Sequence, residues 1–260
     1  ATNWKTIASL PGGDAATDEI ACKGKARYVR ILMQKPANNH NYLLSEVEVM
    51  GRGGLVPYHK VQPTVEGKKY DLAGGNWTLQ RASEVAATGE NISKADYDAS
   101  NWVVATVPGT VLTSYKNIGA VPNPNYADNI FQISESFFNS NFWYRNEFDL
   151  PADFKQERLF LNLDGINWKA NIYLNGNKIG RMEGAFIRGM YDITDIAVEG
   201  KNVLAIEIEK NAHIGAIKEK YEVNTDFNGG ILGADNPTFH ASIGWDWIST
   251  IRGRNIGIYN

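Results

Sequence analysis

With 260 residues, 43% hydrophobic and 21% charged, the chain has the make-up of an ordinary globular protein, with room for one large or two small domains. A net charge of −3 argues against a nucleic-acid partner. No apolar run approaches the ~18 residues that a membrane span needs, and the single cysteine, Cys22, excludes an intrachain disulfide framework.

Residues 1–52 hold short alternating runs. In Arg27–Met33 the side chains of Val29, Ile31 and Met33 fall on one face of an extended segment. In Ser45–Met50, Val47 and Val49 point inward and Glu46 and Glu48 outward, until Gly51 stops the run. The string Ala26-Arg27-Tyr28-Val29-Arg30-Ile31, followed by Tyr42 and by Ser45-Glu46-Val47-Glu48-Val49-Met50-Gly51, resembles the last third of a discoidin-type (F5/8 C) domain. That resemblance implies part of a carbohydrate-associated β-sandwich, and about 50 residues are too few to close such a sandwich alone. Residues 53–69, opening on Gly53-Gly54 and mostly polar, read as a linker.

A second body is expected over 70–260. Trp77-Thr78-Leu79-Gln80 reads as its first strand. Thr110 is placed to cap a short helix carrying Val111, Leu112 and Tyr115 on one side, with Gly119 as its stop. From residue 142 period-2 alternation dominates. Phe142, Tyr144, Asn146, Phe148 and Leu150 alternate with Trp143, Arg145, Glu147 and Asp149, and Leu159, Leu161 and Leu163 with Phe160, Asn162 and Asp164. Ala170, Ile172 and Leu174 lead into Asn175-Gly176, the dipeptide of a tight hairpin. Leu204, Ile206 and Ile208 then alternate with Ala205, Glu207 and Glu209. Closely spaced antiparallel strands with almost no helix between them predict an all-β fold, an antiparallel sandwich with one or two short helices. One face of its sheet is expected to be buried and the other polar.

The stretch richest in chemistry comes last: Gly244-Trp245-Asp246-Trp247-Ile248, running on through Arg252, Arg254 and Asn255 to Gly257-Ile258-Tyr259. In an extended segment the two indoles share a face and the carboxylate takes the other. A sugar is recognised by such a pair of features, an aromatic platform for its C–H face and an acceptor for its hydroxyls. The alternative is structural, with both indoles in a core and Asp246 paired to Arg252 or Arg254.

Gly-Trp-Asp-Trp followed by Ile-Arg-Gly-Arg-Asn-Ile-Gly-Ile-Tyr resembles the end of the N-terminal sugar-binding domain of glycoside hydrolase family 2. The exo-β-glucosaminidase and β-mannosidase branch is the nearest. Val107-Pro108-Gly109-Thr110-Val111, Phe142-Trp143-Tyr144-Arg145, Leu163-Asp164-Gly165-Ile166-Asn167, Ile172-Tyr173-Leu174-Asn175-Gly176, Asp192-Ile193-Thr194 and Asn202-Val203-Leu204-Ala205-Ile206 extend the resemblance in order over 70–260. It implies a jelly-roll, galactose-binding-like sandwich in which Asp246 contacts a terminal β-linked sugar and Trp245 or Trp247 shapes the pocket. Catalysis would then reside on a barrel elsewhere in the same polypeptide, and the protein would be periplasmic or secreted. Asn129, in Asn123-Pro124-Asn125-Tyr126-Ala127-Asp128-Asn129, aligns with an asparagine that helps hold the sugar in this family. The structural alternative is an asparagine fixing a turn through its side chain. Ala1 carries neither an initiating methionine nor a signal peptide, and Asn260 follows a strand-like segment, so the sequence reads as a fragment lacking the domain's last strand.

No catalytic residue is assigned within the chain. The resemblance implies two barrel glutamates, about 5–5.5 Å apart in a retaining mechanism, and no alternating strand–helix series able to build that barrel is present. Glu207 and Glu209, set in Ile-Glu-Ile-Glu-Lys, read as a solvated face. His40, His59, His213 and His240 lack metal-ligand spacing, and no cofactor is expected. Asp226, Asn228, Asp235 and Asn236 read as a surface loop rather than a calcium site, since the EF-hand pattern is missing. Two other readings remain open: an autonomous carbohydrate-binding module, and a purely structural spacer between domains.

Overall fold

The computed structural model describes residues 4–10, 20–24, 29–34, 64–66, 69–127, 129–156, 158–184, 186–210, 215–217, 230–232 and 256–259. Two compact units divide the chain, Ala1–Met50 and Gly51–Asn260. In the first, the described residues form no helix or strand. Val29 and Ile31, expected to share one face of an extended segment, are 54% and 50% exposed. A unit of this size has too little apolar surface to bury its own extended segments. The Arg30 guanidinium lies 4.4 Å over the Trp4 ring. The expected strand over 45–50 lies outside the described residues.

In the second unit the strands run β1 (Thr64–Glu66), β2 (Lys69–Asp71), β3 (Trp77–Arg81), β4 (Val103–Val104) and β5 (Gly109–Thr110). Then come β6 (Phe142–Leu150), β7 (Phe160–Leu163), β8 (Ile166–Asn167), β9 (Lys169–Leu174) and β10 (Asn177–Glu183). The series continues with β11 (Gly189–Asp192), β12 (Gly200–Ile208), β13 (Gly215–Ile217), β14 (Gly230–Leu232) and β15 (Gly257–Ile258). Among the described residues three short α-helices interrupt it, α1 (Gly89–Ile92), α2 (Val111–Asn117) and α3 (Glu135–Phe138), together with 3-10 turns at Ala82–Glu84, Asn129–Gln132 and Ala152–Gln156. The hairpin β1–β2 shows that strand structure begins within the stretch read as a linker.

One layer is a six-stranded antiparallel sheet in the order β10-β9-β12-β6-β3-β4. Over it lie the pair β7–β11 and the three-stranded sheet β5-β15-β8. The core between them takes Leu79, Phe142, Tyr144, Ile172, Leu204 and Ile206 from the large sheet and Leu163, Ile166, Ile256 and Ile258 from the second layer. This is the antiparallel sandwich expected from the alternating runs.

The local chemistry explains the connections. Asn175 (φ 49°) and Gly176 (φ 82°) form the two-residue turn between β9 and β10, the positive φ pair that matches hairpin twist. Thr110 Oγ1 accepts the Thr113 N–H at 3.0 Å and so caps α2. At its other end Gly119 (φ 76°) lets the Gly119 and Ala120 amides turn back onto the Lys116 and Tyr115 carbonyls, a Schellman stop.

The large sheet departs from expectation in one respect: its second face is also buried. Trp143 is 5% exposed, Arg145 4%, Tyr173 8% and Ala205 0%. Ile92, Trp102, Ala99 and Tyr97 from the segment 82–102 pack onto this face and form a second core. Arg145 ties the segment down. Its Nε donates to the Ile92 carbonyl and its Nη2 to the Lys94 carbonyl, each at 2.9 Å, while Nη1 meets Glu147 at 2.6 Å.

Asn202, fully buried, is a second fastener. Its amide nitrogen donates to the Val198 and Gly200 carbonyls, and its oxygen accepts from the Val198 N–H and from Asn175. Asn202→Ala would remove these four bonds from a buried position and is expected to lower unfolding free energy by about 2 kcal/mol. Urea titration is the measurement. A loss below about 0.5 kcal/mol would mean that water replaces the amide.

Candidate functional site

The candidate stretch is tethered at its C-terminal side. β15 is inserted between β5 and β8, with Gly257 opposite both Thr110 and Asn167, and Ile258 opposite Gly109 and Ile166. The Val111 N–H donates to the Ile256 carbonyl, and the Tyr259 N–H to that of Gly165. Ile256 and Ile258 are 2% and 1% exposed, so apolar burial and two strand partners fix where this end of the stretch lies. Trp245, Asp246 and Trp247 lie outside the described residues, as do Arg252, Arg254 and Asn255.

Asn129 is described and half-buried. Its side-chain amide donates to the Asn123 carbonyl at 2.9 Å, and its backbone N–H donates to that of Tyr126. Asn123 in turn accepts the Asn125 N–H on its side-chain oxygen. One N–H of the Asn129 amide is therefore engaged in the turn, the role of an asparagine that fixes a turn through its side chain.

Glu207 and Glu209 are half-buried, and both have partners. Asn141 and Asn171 donate to Glu207 at 3.0 and 3.2 Å, and Asn171 also donates to Glu209 at 3.1 Å. Arg181 pairs with Glu209 and donates to the Asn171 side-chain oxygen. The register explains it, because Arg181, Asn171 and Glu207 lie opposite one another on β10, β9 and β12. Arg181 holds the Glu209 carboxyl below its ordinary range, so this group stays ionised at neutral pH and is unsuited to act as a general acid.

These depressed carboxylates set an acid sensitivity. Burial pulls Glu147 upward, but Arg145 and Lys201 outweigh it and leave it lowered. Asp192 sits at about 2, chiefly through the Thr194 hydroxyl and then Arg158. A carboxyl with a folded pKa below its unfolded value adds stability that is complete above the unfolded value. That stability is lost as pH falls through the folded one. The melting temperature is thus expected to hold from pH 7 to about 5 and to fall below about 4. Arg181→Met is expected to flatten that fall in thermal scans across pH. An unchanged slope would remove the Arg181–Glu209 pair as a contributor.

Among the described residues no group of three or more histidine, cysteine or acidic side chains gathers to hold a metal. The four histidines, and Asp226, Asn228, Asp235 and Asn236, lie outside the described residues. Sequence reasoning did not foresee the roles of Arg145 and Asn171. Asn171 carried a signal, a polar side chain among Ala170, Ile172 and Leu174 that calls for a buried partner; Arg145 carried none, since Asn146, Glu147 and Asp149 share its strand.

Two antiparallel layers around one core, with the terminal strand laid between β5 and β8, define a galactose-binding-like β-sandwich. The chain belongs to the glycosyl hydrolase 2 galactose-binding domain-like family, whose model matches residues 77–260. It is 32% identical over 194 residues to a mannosylglycoprotein endo-beta-mannosidase of Lilium longiflorum, a match that covers 71% of this chain and 20% of the relative. An exo-beta-D-glucosaminidase of Streptomyces avermitilis is 27% identical over 186 residues, covering 70% of this chain and 18% of that protein. The crystal structure of the Amycolatopsis orientalis exo-chitosanase CsxA shares the fold with a TM-score of 0.54 and 24% identity, over 70% of this chain and 19% of that one. The chain thus spans about a fifth of the length of the curated relatives it matches.

Proposed function

We propose that this chain is the non-catalytic, carbohydrate-binding part of a longer exo-acting β-glycosidase, and that its Trp245–Trp247 stretch completes the sugar pocket of a catalytic barrel in the same polypeptide. The family match over 77–260 carries this reading. Asp246 accepts hydrogen bonds from two hydroxyls of a terminal β-linked sugar, Trp245 or Trp247 stacks on its C–H face, and Asn129 offers its side-chain oxygen. The relatives named for mannosidase and glucosaminidase activity point to mannose and glucosamine as the sugars to try first. In this reading the protein is secreted or periplasmic. Among the described residues no helix is long and apolar enough to cross a membrane. The discoidin-like reading of residues 1–52 adds a second carbohydrate-associated module.

Isothermal titration of the chain with glucosamine, mannose and short β-linked oligosaccharides, alongside Asp246→Ala, tests this. The shared-pocket reading expects no binding to the chain alone. In the full-length enzyme it expects Asp246→Ala to weaken substrate use by about 1.5–3 kcal/mol, the worth of hydrogen bonds to a charged group. Millimolar binding by the chain alone, lost in Asp246→Ala, would replace it with an autonomous binding module. Full activity of the Asp246→Ala enzyme would leave a structural spacer.

A further inference from the structure

The segment 82–102 covers only part of the second face of the large sheet. Toward the end where β9 begins and β12 finishes, that face carries polar side chains from adjacent strands. Arg181, Asn171 and Glu207 lie in one row across β10, β9 and β12, with Trp143 next in the row on β6. One row further out, Glu183 stands opposite Lys169, Glu209 follows β12 and Asn141 precedes β6.

The charges of this strip do not cancel. Lys169 pairs with Glu183 at 3.0 Å, while Arg181 pairs with Glu209 and stands 3.6 Å from Glu183. At the margins Lys210 donates to the Asn139 side-chain oxygen, and the Lys178 ammonium lies 5.8 Å from the centre of the Tyr173 ring. The carboxylate left over is Glu207. Among the described residues its oxygens accept only from neutral amides, Asn141 at 3.0 Å and Asn171 at 3.2 Å. Asn171 is itself 8% exposed and fixed by Arg181 and Glu209. A half-buried carboxylate gives up part of its hydration, and neutral donors replace only some of it. Each oxygen keeps a second lone pair for a further donor. A carboxylate held in place by its neighbours, with no counter-charge of its own, is suited to a cation that a ligand brings.

The candidate stretch reaches the same end of the sandwich. β8 runs through Trp168 directly into β9. Gly257 stands opposite Asn167 and Ile258 opposite Ile166, so the chain enters β15 from the side of Trp168 and Lys169, where the strip lies. We propose that Glu207, framed by Asn141 and Asn171, binds the ammonium group of an amino sugar one or more units beyond the terminal sugar of a β-linked oligosaccharide. This rests on the reading of the chain as the sugar-binding part of a longer glycosidase, and it names the substrate class as β-linked glucosamine with free amines. A single part-exposed ion pair is worth too little to hold a sugar alone. The contact acts once the terminal sugar is seated and the following units are tethered beside the sheet, so calorimetry of the isolated chain should still show no binding.

The test uses the full-length enzyme with a β-linked glucosamine trimer and with an aryl β-glucosaminide, which ends after one sugar. Glu207→Gln removes the charge and keeps the size. It should raise KM for the trimer about tenfold with kcat unchanged, the worth of one charge-assisted hydrogen bond. For the aryl glucosaminide the rise should be at least about fivefold smaller. Added salt should raise KM for the trimer in the wild type and not in the variant, because screening weakens only a contact between charges. An equal rise with both substrates, an unchanged KM for the trimer, or a salt response that survives in the variant would overturn the proposal. So would an enzyme that hydrolyses β-mannosides and no glucosaminide, which would leave the glycosidase reading standing. A full-length protein that hydrolyses neither would overturn both.

Discussion

Arg145→Ala is expected to lower unfolding free energy by about 3–5 kcal/mol, the range for removing one partner of a buried charge network. The guanidinium is the link between β6 and the segment 82–102, reaching the carbonyls of Ile92 and Lys94 as well as Glu147. Without it two carbonyls beneath the second core lose their donor, and the covering of Trp143 and Tyr173 loosens with them. Lysine is not expected to rescue the loss, because an ammonium cannot span a planar fork of acceptors. Lys201→Met removes only the exposed partner of Glu147, 54% accessible at the lysine, and should cost less than about 1 kcal/mol. Urea unfolding of the three variants is the check. An Arg145→Ala loss no larger than that of Lys201→Met would show that the segment is held by apolar packing alone.

Gly257→Ala is expected to cost about 3 kcal/mol, at the upper end of overpacking. A methyl group there would fall onto the Gly109 carbonyl oxygen and 2.8 Å from the Thr110 Cα. Both obstacles are backbone, so no rotamer change relieves them. β15 would have to move away from β5, exposing Ile256 and Ile258 and releasing the first turn of α2 from the Ile256 carbonyl. Gly165→Ala is the neighbouring control, since its methyl meets only the Tyr259 side chain at 3.4 Å. It should lie within about 1 kcal/mol of wild type. Equal losses in the two variants would mean that β15 has more freedom than its two ladders indicate.

Much of the sandwich was legible in the sequence because its signals are local. The period-2 pattern of 142–150 and 204–208, the Asn175-Gly176 turn and the Thr110 and Gly119 caps each act within a few residues. The second buried face was not legible for the opposite reason. On β6 the alternation places Trp143 and Arg145 with Glu147 and Asp149, which reads as a polar side. The carbonyl that Arg145 satisfies lies 53 residues away. The partners of Glu207 and Glu209 were hidden on the same ground, because Asn171 and Arg181 come from other strands. Asn129 presented two readings, and the turn it holds is a contact that a local pattern can suggest. The strand β15 was visible as a strand-like segment, but its two neighbours, β5 and β8, are set by topology.

The seating of β15 also has a mechanical meaning. A strand held on both sides resists a pull along its own axis by loading its backbone bonds together, whereas an edge strand can be peeled one bond at a time. Tension applied at Tyr259 would reach the sandwich through this doubly bonded strand. The rate at which β15 slides from between β5 and β8, rather than the equilibrium stability of the whole, would then decide how long the join survives.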